Sequence, residues 1–232
     1  MRKCIDMGEG REIIINDKDM LKPDGILEIP DIGLGEAYRG KASYVVYDEE
    51  DIDDDMLELV CARKYNEPLV IAETGKFIIR EMTVVDLPHL YELYQTLSDC
   101  PYVEPLYEYE DEKAFTIKYI ENMYGFFGYG LWLVFDKKTG ELVARAGIEN
   151  RSIDGQNCQE LGYLVKKSWQ GKHVAWEVMN HIVDIAKDRF GLEELYICTE
   201  KTNNPSIQLA LKLGFTLYAG DTDGMNIYRK KL

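Results

Sequence analysis

The chain has 232 residues, of which 46% are apolar and 30% charged; that is enough for one large domain or two small ones, and it excludes a chain disordered by composition. A formal net charge of -15 excludes nucleic acid and anionic membrane as natural partners, because phosphate binding calls for basic surface. No apolar run approaches the roughly 20 residues that cross a bilayer, "MRKCIDMGEGRE" lacks the apolar middle of a signal peptide, and five scattered cysteines show no CxxC spacing, so a cytoplasmic protein with reduced thiols and no metal site is expected.

Residues 1–75 carry a net charge of -10 and residues 76–232 only -5. Gly75 separates the strand-like "PLVIAE" from the strand-like "FIIREM", which places a domain boundary there and divides the chain into 1–75 and 76–232. Before it, "REIIIN" and "SYVVY" read as strands, and "DDMLELVCARKY" spaces Met56, Leu57, Val60 and Cys61 as a helix. With "PLVIAE" following, strand, helix and strand imply a crossover in a small α/β unit. The acidic run Asp48 to Asp55 reads either as a solvated helix-capping face, favoured by the helix dipole, or as a site for a metal or polyamine. "DIGLGEAYRG" lacks the strand-to-helix context of a nucleotide fingerprint and reads as a loop. This segment declares no function.

From Lys76 onward the pattern is richer. "FIIREM" is a strand, and "TVVDLPHLYELYQTL" a helix with Thr83 or Asp86 as its cap. After "SDCPYVEPLYEYEDE" comes a second helix, "KAFTIKYIENMYGFF". Two strands then flank "DKKTGE", a hairpin turn carrying Gly140. "CQELGYLVKK" is a further strand with Glu160, Gly162 and Leu164 on one face and Leu161, Tyr163 and Val165 on the other. "SWQGKHVAWE" leads from it into a helix marked by Val174, Val178, Ile182 and Ile185. Unsatisfied amides and the positive dipole end collect at such a start, and Gly171 lets an anion approach the main chain, so the turn is a candidate phosphate cradle. Lys166, Lys167 and Lys172 surround it; an ordinary strand-to-helix turn is the competing reading. "LEELYICTE" is the next strand, "NNPSIQLALKLGF" a helix capped by Asn204 with Pro205 at its first position and Gly214 at its end, and the chain closes with a loop and a terminal strand.

That element order, with "ELGYLV", "WQGKHVA" and "NNPSIQLALKLGF" in sequence, resembles the GNAT superfamily of N-acetyltransferases over roughly Phe77 to Leu232, and most closely the branch that acetylates ribosomal protein N-termini. The resemblance implies an α/β fold: a mixed, splayed sheet flanked by helices that grips acetyl-coenzyme A, beside the smaller N-terminal α/β domain. Tyr163, Leu164 and Val165 correspond to the strand that pairs with the pantetheine arm. Gln170, Gly171, Lys172, His173, Val174 and Ala175 correspond to the turn that takes the pyrophosphate, and Asn203 and Ser206 to further cofactor contacts. His173 stands where the family pattern usually has its middle glycine, and reads as exposed at the helix entry rather than catalytic.

Acetyl transfer to an amine needs a base for the ammonium proton, a polarised carbonyl and a proton for the departing thiolate. Glu160 matches the family's occasional glutamate base and is the first candidate; Glu149, ending the preceding strand, is the second. Backbone N–H groups near Leu164 or Val165 would polarise the carbonyl. The acid is unassigned, because Ala210 stands four residues after Ser206 where many members carry a tyrosine; Ser206, Tyr218 and water are the alternatives. A covalent route through Cys158 or Cys198 has no neighbouring histidine to support it.

Tyr102, Glu104 and Tyr107, in the region that lines the acceptor groove of the family, offer carboxylates among aromatics and suit a cation: a small-molecule amine or a peptide N-terminus. A homodimer is compatible with this sequence. Two functions follow, an amine N-acetyltransferase and, on the strength of Ala210, His173 and the extra N-terminal domain, a non-catalytic acyl-coenzyme A sensor.

Overall fold

The computed structural model describes residues 2–17, 20–21, 27–28, 30–39, 42–222 and 224–232. The chain divides into two units, Met1–Leu69 and Val70–Leu232. The division falls before the strand Val70–Glu73 rather than at Gly75, because that strand pairs antiparallel with Phe77–Arg80 of the second unit. The expected crossover of residues 1–75 is therefore not closed by this strand.

The first unit holds a sheet in the order β1 (Arg2–Gly8), β2 (Arg11–Asn16), β5 (Ile32–Leu34), β6 (Tyr44–Val46), with a short ladder of β3 (Met20–Leu21) and β4 (Leu27–Glu28) beside it in sequence. The hairpin of β1 and β2 and the strand β5 inside "DIGLGEAYRG" went unread in the sequence: β1 is polar along most of its length, and β5 spans three residues. Helix α1 (Asp54–Tyr65) packs Val60 and Cys61 against Ile13, Ile15 and Ile32. Asp53 caps it by accepting from the Met56 amide at 2.9 Å, so the acidic run works as a helix cap. Among the described residues no cluster of His, Cys, Asp and Glu could hold a metal, and the cysteines are free thiols.

The second unit is one mixed sheet in the order β13-β14-β12-β11-β10-β9-β8-β7. Its strands are β7 (Val70–Glu73), β8 (Phe77–Arg80), β9 (Leu131–Asp136), β10 (Leu142–Ile153), β11 (Gln156–Val165), β12 (Glu194–Glu200), β13 (Thr216–Thr222) and β14 (Met225–Lys231). The helices are α2 (Leu87–Gln95), α3 (Tyr109–Tyr119), which runs on as a wide π-type helix over Ile120–Phe127, α4 (Val174–Asp188) and α5 (Asn204–Lys212). Thr83 and Asp86 form a capping box before α2, and Asp86 is gripped by Arg80 at 2.6 and 2.9 Å. Strand β13 occupies the segment expected to be loop; its pairing with β14 supplies an order that the residues Thr216 to Thr222 do not advertise. Among the described residues no helix is long and apolar enough to cross a membrane.

The sheet parts in one place. β11 pairs with β10 along its whole length, and so does β12 with β14, but β11 and β12 run parallel and pair only at Glu160 and Tyr196. Beyond that pair both strands continue without a ladder between them, which is the splay the sequence resemblance implies.

Candidate active site

The site is built around this parting. Glu160 lies at its apex: one carboxylate oxygen accepts from the Cys198 amide of β12 at 3.2 Å, the other from Arg151 at 3.0 Å. A side chain thus occupies the backbone N–H that the diverging strand leaves behind. Directly across β10, Glu149 is the register partner of Glu160. The Tyr119 hydroxyl donates to Glu149 at 3.0 Å while accepting from the Leu131 amide at 2.7 Å, so the carboxylate is held by a phenol that is itself held by the sheet. Burial raises the Glu149 pKa and the charge of Glu160 adds to it, against the opposing effects of Arg145 and the Tyr119 hydrogen bond. Gly162, two residues after Glu160 on the same face, leaves bare backbone beside Glu149.

At the end of β11 lies a groove of roughly 520 Å³. It is lined by ten of the residues expected to hold a cofactor: Tyr163, Leu164 and Val165 of β11; Gln170, Gly171, His173, Val174 and Ala175 of the turn into α4; and Asn203 and Ser206 at the head of α5. Local chemistry explains the turn. Gly171 and His173 both adopt left-handed backbone, at φ 74° and 63°, a conformation glycine takes freely and histidine at a cost. The Gln170 side chain turns back to donate to the Val165 carbonyl at 3.1 Å and so fixes the end of β11. His173 precedes α4 without capping it, which leaves the first amides of a 15-residue helix free to meet an anion.

Asn203, not Asn204, caps α5, its side chain accepting from the Ser206 amide at 3.3 Å. With Asn203 outside the helix, Pro205 falls in the first turn, where its missing N–H costs nothing. Burial pushes up the pKa of the Tyr163 phenol, which lines the same groove as Ser206.

The lysines divide differently from their sequence reading. Lys166 pairs with Glu141 at 2.8 Å and Lys167 with Asp99 at 2.9 Å, so their charge is spent. Lys172 instead stands over the Trp169 ring at 5.0 Å, outside the groove lining. Leu97, Cys100 and Val103 line the groove as well; their approach from the segment after α2 carries no local signal. Tyr102 falls in the groove itself, whereas Glu104 and Tyr107 are exposed and outside it. Tyr107 is fixed through its backbone, accepting from the Tyr91 hydroxyl at 2.6 Å and donating to Glu112 at 3.1 Å. Neither cysteine of the parting region suits a covalent route: Cys158 is buried, and the Cys198 thiol is pushed up to about 12 by burial and by Glu160.

Amides at a helix head, a glycine turn with clear space, and an opening between strands fit a long anionic ligand with a slender arm. Comparison with known proteins points the same way. Residues 76–216 match the family model described as an acetyltransferase (GNAT) domain. YkkB, an uncharacterized protein of Bacillus subtilis strain 168, is 28% identical over 88 residues, which cover 38% of this chain and 51% of that protein; the chain thus spans about half the length of this curated relative. An acetyltransferase from Agrobacterium tumefaciens strain C58 superposes with a TM-score of 0.57 at 22% identity, over 68% of this chain and 92% of that one. RimL, a ribosomal L7/L12 alpha-N-protein acetyltransferase solved in complex with coenzyme A, superposes with a TM-score of 0.61 at 15% identity, over 70% of this chain and 98% of that one.

Proposed function

The chain belongs to the GNAT acetyltransferase family, acyltransferases that take the acetyl group from acetyl-coenzyme A, and from that premise we propose that it acetylates a primary amine by direct attack within a ternary complex. The observation that carries this reading is the parting of β11 and β12 after a single pair, with a carboxylate couple in register at that pair and an amide-headed groove lined by the end of β11.

Each role falls to a residue of this chain. The turn Gln170 to Ala175 and the head of α4 hold the diphosphate, and the free edge of β11 from Tyr163 to Val165 receives the pantetheine arm. Main-chain N–H groups of that edge, near Leu164 or Val165, polarise the thioester carbonyl. Glu149 takes the proton of the amine. Two observations support it ahead of Glu160: its carboxylate has a raised pKa, which suits a base working near neutrality, and one of its oxygens is bound only by Tyr119. Glu160 is committed through both oxygens and serves to hold the parting open. The Ser206 hydroxyl lines the groove, where Ala210 leaves no phenol, and returns a proton to the thiolate.

The acceptor is a small-molecule amine or a peptide N-terminus, a class in line with the alpha-N-protein acetyltransferase among the similar structures. The sensor reading is the less supported: Ala210 is buried and does not line the groove, and His173 is exposed at its turn. Turnover of acetyl-coenzyme A against polyamines, aminoglycosides and peptides with free N-termini tests the proposal. Amine-dependent thiol release is expected; tight coenzyme A binding with no thiol release for any of them overturns it.

A further inference from the structure

Arg145 is a buried cation with little to hold it. It lies within β10, flanked in register by Leu133 of β9 and Leu164 of β11, and is only 6% exposed. A guanidinium carries five N–H donors and keeps its charge at any working pH. Among the described residues one of those donors is used, Nη1 donating to the Tyr94 hydroxyl at 3.0 Å; Nε is buried without a partner, and no carboxylate forms an ion pair with Arg145. Arg80, on the far side of Leu133 in the same row, behaves otherwise. It grips Asp86 through two bonds and the Glu81 carbonyl through a third, as an arginine that ties a fold together should.

Arg145, Gly147 and Glu149 alternate onto one face of β10, and the middle one has no side chain. Four residues of strand set the Cα atoms of Arg145 and Glu149 about 13 Å apart, and Tyr119 reaches both: its ring centre lies 5.7 Å from the guanidinium carbon, and its hydroxyl donates to Glu149 at 3.0 Å. Tyr124 packs edge-on against Tyr119 at 5.7 Å, and the two phenols take the N–H and the carbonyl of Leu131. The groups facing Arg145 are thus Tyr94 of α2, Tyr119 of α3, Tyr124 of the π-type helix and Glu149 of its own strand. Those facing Glu149 are Arg145, Tyr119, Tyr124 and Glu160 of β11; Tyr124 also meets Glu81. Arg151 already belongs to Glu160, so Arg145 is the cation of this set with no carboxylate of its own among the described residues.

A buried charge with a single hydrogen bond is costly to fold, which points to a benefit outside stability. Resting on the reading of Glu149 as the base, we propose that Arg145 is its positioning residue: the guanidinium braces the Tyr119 ring that holds the carboxylate, and its charge keeps that carboxylate ionised when cofactor and acceptor exclude water. A fixed cation in a poorly polarisable interior acts over a longer range than it would in solvent. Its effect on Glu149 opposes the upward push of burial. Once Glu149 has taken the ammonium proton, the same cation favours release of that proton to water, which returns the carboxylate for the next turnover.

Arg145→Met, which keeps an unbranched stem and removes the charge, tests this in the full chain with acetyl-coenzyme A and whichever amine of the panel above turns over best. Its melting temperature is expected at or above that of the wild type, with calorimetric affinity for coenzyme A unchanged. The acid limb of kcat/KM is expected about one pH unit higher, roughly a 10-fold loss on the acid side. Arg145→Lys restores a charge and is expected to bring the limb back toward its wild-type position, and in a Glu149→Gln background Arg145→Met is expected to add no further loss. A limb that stays in place in Arg145→Met, or one displaced equally in Arg145→Lys, overturns the proposal and leaves the base reading standing. Collapse of the Arg145→Met fold overturns it too, by assigning the arginine to the core. Full activity in Glu149→Gln, or no amine-dependent turnover in the wild type, overturns the base reading and this proposal together.

Discussion

Glu149 and Glu160 face each other across β10 and β11, yet only Glu149 has a carboxylate free of ion pairing. Two like charges in direct cross-strand register disfavour one another, and the fold resolves the conflict by giving Glu160 a guanidinium and a backbone amide. Glu149 is left with a phenol and a raised pKa.

Glu149→Gln is expected to lower kcat by about 10²- to 10⁴-fold, the usual yield of a positioned base, with the dissociation constant for coenzyme A unchanged. Glu160→Gln is expected to cost less, since an amide oxygen still accepts from Cys198. A reversed order of the two effects in steady-state assays would return the base role to Glu160.

The same pair sets the pH dependence. As the proposed base Glu149 must be ionised, and its pKa is raised, so the acid limb of kcat/KM is expected above the ordinary carboxylate range. Tyr119→Phe removes a hydrogen bond that favours the ionised form and moves the limb to higher pH; Glu160→Gln removes a neighbouring negative charge and moves it to lower pH. Opposite shifts in the two variants are the signature to look for. For stability the sign is inverse: a raised carboxyl stabilises the fold below its unfolded pKa, and that contribution is lost as pH rises through the folded one. Thermal melts of Glu149→Gln at neutral pH are therefore expected at or above the wild type.

His173 holds left-handed backbone at φ 63°. His173→Gly relieves a cost of about 1 kcal/mol and is expected to raise the melting temperature without loosening coenzyme A, because in the proposed site the turn offers amides rather than the imidazole. Weaker binding of coenzyme A by this variant would show that the imidazole touches the ligand.

Gly147 lies beneath the Gly130 carbonyl, and a Cβ built on it would fall 1.9 Å from that oxygen. The obstacle is backbone, which has no rotamer to yield. Gly147→Ala is expected to destabilise the second unit by more than about 3 kcal/mol, read as a lower urea midpoint.

Truncation separates the two readings of the domain boundary. A chain beginning at Val70 keeps β7 on the edge of the sheet and is expected to bind coenzyme A as the full chain does. One beginning at Lys76 strips β7 from β8, exposes an unpaired edge and is expected to aggregate, as size-exclusion chromatography would show.

What could be read from residues was what local chemistry dictates. The apolar spacing of Val174, Val178 and Ile182 gives α4, all three being buried, and the glycine turn before it gives the groove. Pairing partners escaped notice: β7 reads as a strand but not as belonging to the second sheet, and β13 follows from its ladder with β14 rather than from its own composition. The choice between Glu149 and Glu160 turns on Tyr119 and Arg151, and on a register that brings the two acids face to face. Tyr119 lies thirty positions from Glu149 in sequence, and no spacing rule reaches that far.

Because one ladder pair joins β11 to β12, the second unit is mechanically two plates sharing a seam. The three-stranded plate of β12, β14 and β13 is expected to breathe about that seam at a lower free energy than the whole unit melts. A molecule threaded through the gap would act as a rivet, and amide hydrogen exchange in β12 and β14 should slow most when it arrives.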